Sequence, residues 1–203
     1  MKIKSAAFEI SAPDLRKCPE WALPEFAFIG RSNVGKSSLI NLLTERRDLA
    51  KVSDSPGKTK LMNFFVINGA WCLVDLPGYG YAEIGRQRRL EFNEAVADFI
   101  STRRNLRCVF VLIDSRHPMQ SIDREFLQWL ESCGAPFALV FTKTDKQSAT
   151  QTEASIGRFK KSMEEWRSVP PDFLASSSKT RVGRTDILNY IEKTLATHNR
   201  SSG

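Results

Sequence analysis

A segment near residue 30 has the residue types and the spacing of a phosphate-binding loop. It follows the apolar run Phe26–Ile29, precedes a helix-like segment, and matches the pattern G-x-x-x-x-G-K-S. Its residues are Gly30, Arg31, Ser32, Asn33, Val34, Gly35, Lys36, Ser37 and Ser38. The glycines let backbone N–H groups surround a phosphate, and the positive end of the following helix points at the same anion. We therefore expect Lys36 to contact the β- and γ-phosphates and the Ser37 hydroxyl to bind Mg²⁺.

An aspartate and a glycine follow a later apolar run, Trp71–Val74. The residues of this segment are Asp75, Leu76, Pro77 and Gly78. A carboxylate at the C-terminal end of a strand beside the phosphate loop can bind Mg²⁺, directly or through water. Gly78 lets its backbone N–H approach a γ-phosphate and lets the chain move when that phosphate leaves. The pattern D-x-x-G is common by itself, so its place beside the phosphate loop is what favours this interpretation.

A Pro-Gly segment lies between these two motifs. It reads Ser55, Pro56, Gly57, Lys58 and Thr59. We interpret Thr59 as a second Mg²⁺ ligand and a backbone contact to the γ-phosphate, and residues 56–59 as nucleotide ligands. A plain turn is the alternative, because Pro-Gly is typical of turns. Lys36, Thr59 and Gly78 are the candidate catalytic residues.

Two later segments have the residues to choose a purine base. The first is Thr142, Lys143, Thr144 and Asp145, and the second is Ser177, Ser178 and Lys179. A carboxylate at Asp145 can accept hydrogen bonds from N1 and the 2-amino group of guanine, whereas adenine would leave it unpaired. The stem of Lys143 can lie along the base, and a backbone N–H of the serine run can meet the guanine O6. The run leaves that register open by one residue. These segments predict a site for GTP and disfavour an ATP-dependent small-molecule kinase.

The order of these segments resembles that of translation-factor-class P-loop GTPases. The strings DLPGYGYA, GRSNVGKSS and SPGKT resemble in particular the EngB (YihA/YsxC) family of ribosome-biogenesis GTP-binding proteins, over residues 6–197. Thr142 departs from the asparagine of many GTPases, but the EngB family is similar to this sequence there. The resemblance implies a GTPase that binds GTP and GDP and assists assembly of the large ribosomal subunit. Its implied partners are the subunit precursor and rRNA, with a link to cell division and septation.

We expect a cytoplasmic protein with no membrane attachment, because the longest apolar run, Cys108 to Ile113, is far too short to span a bilayer. We also expect a monomer. The alternative is a guanine-nucleotide-regulated protein-binding module in which hydrolysis is incidental. Tyr79 follows Gly78 where Ras-like enzymes have a water-orienting glutamine, so we predict slow intrinsic hydrolysis. An asparagine at Asn33 is associated in related GTPases with a K⁺ ion beside the phosphates; the competing role is an amide that braces the loop.

The chain has 203 residues and a formal net charge of +7, which favours a polyanionic partner such as nucleic acid. A basic protein with no such partner is the alternative. Two arginine groups could contact rRNA or could form solvated helix faces: Arg86, Arg88 and Arg89, and Arg103, Arg104 and Arg107. Tyr79 and Tyr81 could stack on bases or pack against the domain.

The elements that must position these residues follow from hydrophobic periodicity. Short apolar runs alternate with helical stripes, which predicts a three-layer α/β, Ras-like domain. Asn68-Gly69 predicts a hairpin between the runs Leu61–Ile67 and Trp71–Val74. We therefore expect a mostly parallel six-stranded sheet with one antiparallel edge strand. Residues 1–20 are predicted to be a loosely held N-terminal extension, 21–197 one GTPase domain, and 198–203 a flexible tail.

Overall fold

Strands and helices alternate through the described part of the chain. The structure is a computed structural model that describes residues 1–50, 61–80 and 94–201, without the side chains of 198–201. The strands are β1 Ala6–Ala12, β2 Glu25–Gly30, β3 Met62–Ile67, β4 Trp71–Asp75, β5 Leu106–Asp114, β6 Phe137–Thr142 and β7 Phe173–Ala175. The helices are α1 Lys36–Thr44, α2 Glu94–Thr102, α3 Ser121–Ser132, α4 Ala149–Glu164 and α5 Arg184–Ser201, with short 3₁₀ turns at Leu15–Lys17 and Thr144–Lys146.

The seven strands form one sheet in the order β1-β3-β4-β2-β5-β6-β7. Strands β4, β2, β5, β6 and β7 are parallel, whereas β3 runs antiparallel to both of its neighbours. The prediction of a mostly parallel α/β sheet is confirmed. The prediction of six strands with the antiparallel one at the edge was wrong, because β1 is a seventh strand that covers β3.

Strand β1 also corrects the prediction of a loosely held N-terminal segment. Its central residues, including Phe8 and Ile10, are exposed, so the run shows neither a buried apolar stretch nor a clean alternation. The side chain of Asn68 binds the residues that precede β1. Its Oδ1 accepts from the backbone N–H of Lys4 at 2.7 Å and of Ser5 at 3.1 Å, and its Nδ2 donates to the Lys2 carbonyl at 2.9 Å. The amino terminus is therefore held at the β3–β4 hairpin.

The hairpin turn confirms the interpretation of Asn68-Gly69. Both residues have positive φ, 54° and 63°, as the turns that match the right-handed twist of paired strands require. This turn lies at the end of β4 opposite Asp75. The candidate functional residues are therefore at the other end of the sheet.

The helices cover both faces of the sheet. Alternate residues of β2 belong to different core clusters: Ala27 and Ile29 pack with α2, α3 and α4, whereas Phe26 and Phe28 pack with α1 and α5. The predicted helical stripes lie in this core, where Phe126, Phe159, Met163, Ile187 and Ile191 are buried.

Helix α4 begins at Ala149 with a capping box formed by Ser148 and Gln151. Helix α5 continues to Ser201, beyond residue 198 where the sequence predicted a flexible tail to start. Among the described helices, none is both long and apolar enough to span a bilayer.

Candidate nucleotide-binding site

The phosphate-binding motif lies between β2 and α1, as its sequence context requires. Strand β2 ends at Gly30 and α1 begins at Lys36. Asn33 and Gly35 have φ values of 60° and 101°, so the backbone turns through the left-handed region twice. A Cβ at Gly30 would lie 2.9 Å from the side chain and carbonyl of Leu112. Glycine is needed there because β2 and β5 approach closely.

The predicted phosphate-binding lysine and the predicted metal-binding carboxylate meet in this structure. Nζ of Lys36 forms an ion pair with Oδ1 of Asp75, and the two side chains are 13% and 8% exposed. Lys36 begins α1 and Asp75 ends β4, so two neighbouring strands bring the groups together. Ser37 and Ser38 lie in the first turn of α1, and Leu76 and Pro77 are buried after β4.

Gly78 lies against the phosphate loop with no room for a side chain. A Cβ there would be 2.6 Å from the Gly30 carbonyl oxygen. Residue 78 must therefore be glycine in this conformation, because its backbone approaches the backbone of Gly30 too closely for a side chain. This close approach also places the segment after β4 beside the loop.

Tyr79 packs against the domain, one of the two alternatives that the sequence left open. Its ring stacks on Phe126 with centroids 4.2 Å apart, and Phe126 stacks in turn on Trp129 at 5.9 Å. The Tyr79 hydroxyl donates a hydrogen bond of 2.9 Å to Oδ1 of the buried Asp123. Burial and the Asp123 carboxylate raise the pKa of Tyr79 well above its ordinary value. The Tyr79 side chain is therefore held against α3 by both its ring and its hydroxyl.

The base-recognition motif is tied to the phosphate loop at two points. The Thr142 hydroxyl donates to the Val34 carbonyl at 2.6 Å. Lys143, which has a left-handed φ of 58°, donates from Nζ to the Asn33 carbonyl at 2.6 Å. Thr142 therefore makes the contact to the loop through a hydroxyl.

Asp114 holds Lys143 in place, and the sequence analysis missed it. Its Oδ2 lies 3.0 Å from Lys143 Nζ, and both carboxylate oxygens accept from Arg116, at 2.9 and 2.7 Å. Although burial opposes ionisation, the hydrogen bonds from Arg116 and Lys143 hold the pKa of Asp114 well below its ordinary value. The available signal was its position at the C-terminal end of β5, where side chains point towards the same edge as the motifs.

The serine run meets Asp145 at Ser177. Oγ of Ser177 donates to Oδ1 of Asp145 at 2.6 Å, and this hydrogen bond lowers the pKa of Asp145. The N–H groups of Ser176 and Ser177 are bonded to the Phe141 and Val182 carbonyls, at 2.7 and 3.1 Å. Ser178 supplies the next backbone N–H, and both Ser178 and Lys179 are exposed.

A cavity of about 330 Å³ lies behind the phosphate loop, between it and the start of α3. Arg31, Ser32 and Asn33 line one side, and Asp114 and Gln120 line the other. The candidate ligands Pro56, Gly57, Lys58 and Thr59 are outside the described residues, as are Tyr81, Arg86, Arg88 and Arg89. Their roles stay predictions.

Arg103 is committed to a buried ion pair and so is not part of a solvated helix face. Its Nε and Nη2 bind the two oxygens of Glu25 at 2.9 and 2.7 Å, and Glu25 is fully buried. Arg107 donates to the carbonyl of Arg104 at 2.8 Å. The ion pair lies at the start of β2, opposite the phosphate loop.

Comparison with known proteins agrees with this geometry. Residues 25–143 match the sequence model of a family described as 50S ribosome-binding GTPase. A crystal structure of a probable GTP-binding protein engB superposes with a TM-score of 0.66 at 23% identity, covering 85% of this chain and 99% of that one. Era from Aquifex aeolicus bound to GDP and AlF4⁻ gives 0.67 at 20% identity, covering 85% and 56%. The chain is a P-loop GTPase.

Relatives of higher identity define the family. The probable GTP-binding protein EngB of Porphyromonas gingivalis is 52% identical over 193 residues, which is 95% of this chain and 96% of the relative. The protein of the same name from Bacteroides thetaiotaomicron is 51% identical and covers 95% of both chains. The chain belongs to the EngB family of GTP-binding proteins.

Proposed function

We propose that GTP and GDP bind at the phosphate loop and at residues 75–78, 142–145 and 177–179, with residues 56–59 as a further contact, and that the chain hydrolyses GTP slowly. The observation that carries this proposal is the pair of contacts from Thr142 and Lys143 to the Val34 and Asn33 carbonyls. These contacts hold the segment of Thr142 and Lys143 beside the phosphate loop, which supports one shared nucleotide site. Lys36 would then bind the β- and γ-phosphates, and Asp145 would accept two hydrogen bonds from guanine. Ser178, the residue after the one that bonds Asp145, is the proposed donor to the guanine O6.

The donor set suits Mg²⁺. The Ser37 hydroxyl and the Asp75 carboxylate supply oxygen ligands, which this cation prefers, and phosphate oxygens would complete the set. Bound there, Mg²⁺ would neutralise charge that develops on the phosphates. Asp75 would bind it directly or through water, and Thr59 is the proposed second ligand.

Hydrolysis is proposed to depend on Lys36 and Gly78. Water attacks the γ-phosphorus, the bond to the β–γ bridging oxygen breaks, and GDP and phosphate leave. Lys36 stabilises charge on the phosphates, and the Gly78 N–H is placed to contact the γ-phosphate. Tyr79 is not proposed to orient the water, because its hydroxyl proton is donated to Asp123 on α3. The proposed intrinsic rate is therefore slow.

Binding itself is tested with Lys36→Ala. We expect it to abolish binding of a fluorescent GDP analogue, with Lys160→Ala, an exposed lysine on α4, as the control. Retained binding by folded Lys36→Ala would contradict the proposed site, as would equal binding of ADP and GDP by the unmodified chain.

Potassium is proposed as an additional ion at Asn33. The competing role is a residue that braces the loop. Two observations support that role: Asn33 has a left-handed φ, which asparagine tolerates better than most residues, and its carbonyl accepts a hydrogen bond from Lys143. Hydrolysis in K⁺ and Na⁺ buffers separates the two. A stimulation by K⁺ that Asn33→Ala removes would assign the ion, and equal rates would assign the brace.

The proposed cellular role is assembly of the large ribosomal subunit, with a link to cell division. The matched family's description as a 50S ribosome-binding GTPase and the net charge of +7 support it. Loss of the γ-phosphate would release the segments that contain Thr59 and Gly78, and so change the affinity for rRNA. A ribosomal partner implies a cytoplasmic location, and we propose that the chain acts as a monomer.

Co-sedimentation with large-subunit precursors tests this role. We expect more binding with a non-hydrolysable GTP analogue than with GDP, and a steep loss of binding as salt rises, since contacts to phosphates release counterions. Binding to a purified protein but not to precursor particles would instead favour the guanine-nucleotide-regulated protein-binding module.

A further inference from the structure

Helix α1 joins the two halves of the proposed site. Its first residue, Lys36, lies at the phosphate end, and its C-terminal carbonyls accept hydrogen bonds from Arg184. Nε of Arg184 donates to the Leu42 carbonyl at 2.9 Å, and Nη2 donates to the Leu43 carbonyl at 3.0 Å. A guanidinium suits the negative end of a helix, and this one is only 17% exposed. The contact joins residues that are far apart in sequence, so it docks α5 onto α1.

Glu45, the C-cap residue that follows α1, extends this contact. It has a left-handed φ of 56°, and its carboxylate lies 3.5 Å from Arg184 and 2.5 Å from Arg181. Arg181 belongs to residues 176–183, which connect β7 to α5 and which we name the guanine loop. One oxygen of the Glu45 carboxylate therefore contacts this loop at Arg181, and the other contacts Arg184 at the junction of the loop with α5.

The guanine loop is short and tightly bonded, so its docking fixes Ser177. The Ser177 N–H bonds the Val182 carbonyl at 3.1 Å, and the Thr180 N–H bonds Ser177 Oγ at 3.1 Å. Gly183 has φ 78°, and a Cβ there would lie 1.8 Å from the Ala175 carbonyl oxygen. Ser177 Oγ then orients Asp145 at 2.6 Å. The short backbone of the guanine loop and these hydrogen bonds thus connect Arg184 to the carboxylate proposed to read the base.

We propose that Arg184, held by Glu45, is a positioning residue for guanine specificity. This inference rests on the proposed function, because it assigns a role towards the base that Asp145 reads. Arg184 touches no nucleotide. It sets the place of the guanine loop relative to α1, and therefore the direction in which Ser177 turns the Asp145 carboxylate.

A purely stabilising role for Arg184 makes a different prediction from a positioning role. Lost stability alone lowers the folded fraction, which weakens binding of every nucleotide by one factor. A turned Asp145 weakens guanine more than hypoxanthine, because guanine donates from N1 and the 2-amino group whereas hypoxanthine donates from N1 only. The ratio of the dissociation constants for IDP and GDP separates the two roles.

The experiment measures GDP and IDP binding to Arg184→Gln and Glu45→Gln. We expect GDP to bind about tenfold more weakly to Arg184→Gln while IDP changes by about twofold, since a hydrogen bond to an ionised group contributes on the order of one factor of ten or more. Glu45→Gln should lower the ratio in the same direction by a smaller factor. Arg184→Lys keeps the charge but lacks the planar fork whose separate nitrogens reach the Leu42 and Leu43 carbonyls, so it should resemble Arg184→Gln.

The matched control is Arg124→Gln, which breaks the exposed ion pair of 2.8 Å between α3 and Glu165. It should leave the ratio unchanged. An unchanged ratio in folded Arg184→Gln would overturn the inference; if that variant does not fold, an unchanged ratio in Glu45→Gln overturns it. A wild-type chain that binds GDP no better than IDP would instead overturn the guanine reading of Asp145, which belongs to the proposed function.

Discussion

The hydroxyl of Thr142 lies 2.6 Å from the carbonyl oxygen of Val34 and donates a hydrogen bond to it across 108 positions of sequence. Thr142 ends β6 and Val34 lies in the phosphate loop, and both are buried. A buried carbonyl that loses its donor destabilises the fold, so this contact constrains the loop from the side of the base motif. The phosphate and base halves of the site are not independent.

Replacing Thr142 by valine tests this connection. Thr142→Val keeps the branched shape but leaves the Val34 carbonyl without its donor, at a cost of about 1–3 kcal/mol in the free energy of unfolding. We expect GDP to dissociate faster and to bind about tenfold more weakly, a change of about 1.4 kcal/mol. Thr142→Ser retains the hydroxyl and serves as the control. Equal dissociation rates in the two variants, measured by stopped-flow fluorescence, would show that the contact has no such effect.

Removing the Ser177 hydroxyl should change the pH dependence of GDP binding. The hydrogen bond from Ser177 lowers the pKa of Asp145. The carboxylate therefore stays ionised, and continues to stabilise the fold and the site, until the pH falls below the ordinary pKa of an aspartate. In Ser177→Ala the pKa rises towards about 3.9, the value of an unperturbed aspartate. The acid limb of GDP binding should therefore move to higher pH. Because the phosphates also titrate, the quantity to measure is the ratio of variant to wild-type affinity between about pH 3 and 6.

Two glycines with similar φ should respond differently to alanine. Gly69 has φ 63° and nothing within 4 Å of the added Cβ, so Gly69→Ala should lose only about 1–2 kcal/mol for the left-handed conformation. At Gly183 the Cβ would overlap the Ala175 carbonyl, so Gly183→Ala should lose at least about 3 kcal/mol. Urea unfolding gives both values. Similar losses would mean that the guanine loop relaxes without cost.

Tyr79→Phe tests whether the phenol takes part in hydrolysis. The ring can still stack on Phe126, but Asp123 loses a buried donor, so we expect the free energy of unfolding to fall by about 1–3 kcal/mol. The single-turnover hydrolysis rate at saturating GTP should change by less than about twofold. The Tyr79 hydroxyl donates its proton to Asp123, so we do not expect it to transfer a proton during hydrolysis. A drop of about tenfold or more would assign Tyr79 a direct role.

Local patterns in the sequence predicted much of the fold and where the segments of the candidate site lie in it. Three features depend on residues close in sequence: the phosphate loop, the D-x-x-G segment and the Asn-Gly hairpin. Each is flanked in the structure by the strands or the helix that its sequence predicted. Strand β1 could not be found in this way, since its exposed centre gives no periodicity and its partner β3 begins only at Met62. Asp114 and Arg184 act through contacts with distant elements, and no spacing rule links a helix C-terminus to an arginine in another helix.

The tether at Asn68 determines how the molecule can be attached to a solid support. The first residues are held at the hairpin, at the opposite end of the sheet from Asp75, and the Met1 amine pairs with the exposed Glu192 at 3.0 Å. An ion pair to an exposed carboxylate contributes little to the free energy of unfolding, so an added tag that displaces it should cost little stability. A biosensor chip that captures the protein by an amino-terminal tag should therefore leave the phosphate loop facing the flowing analyte.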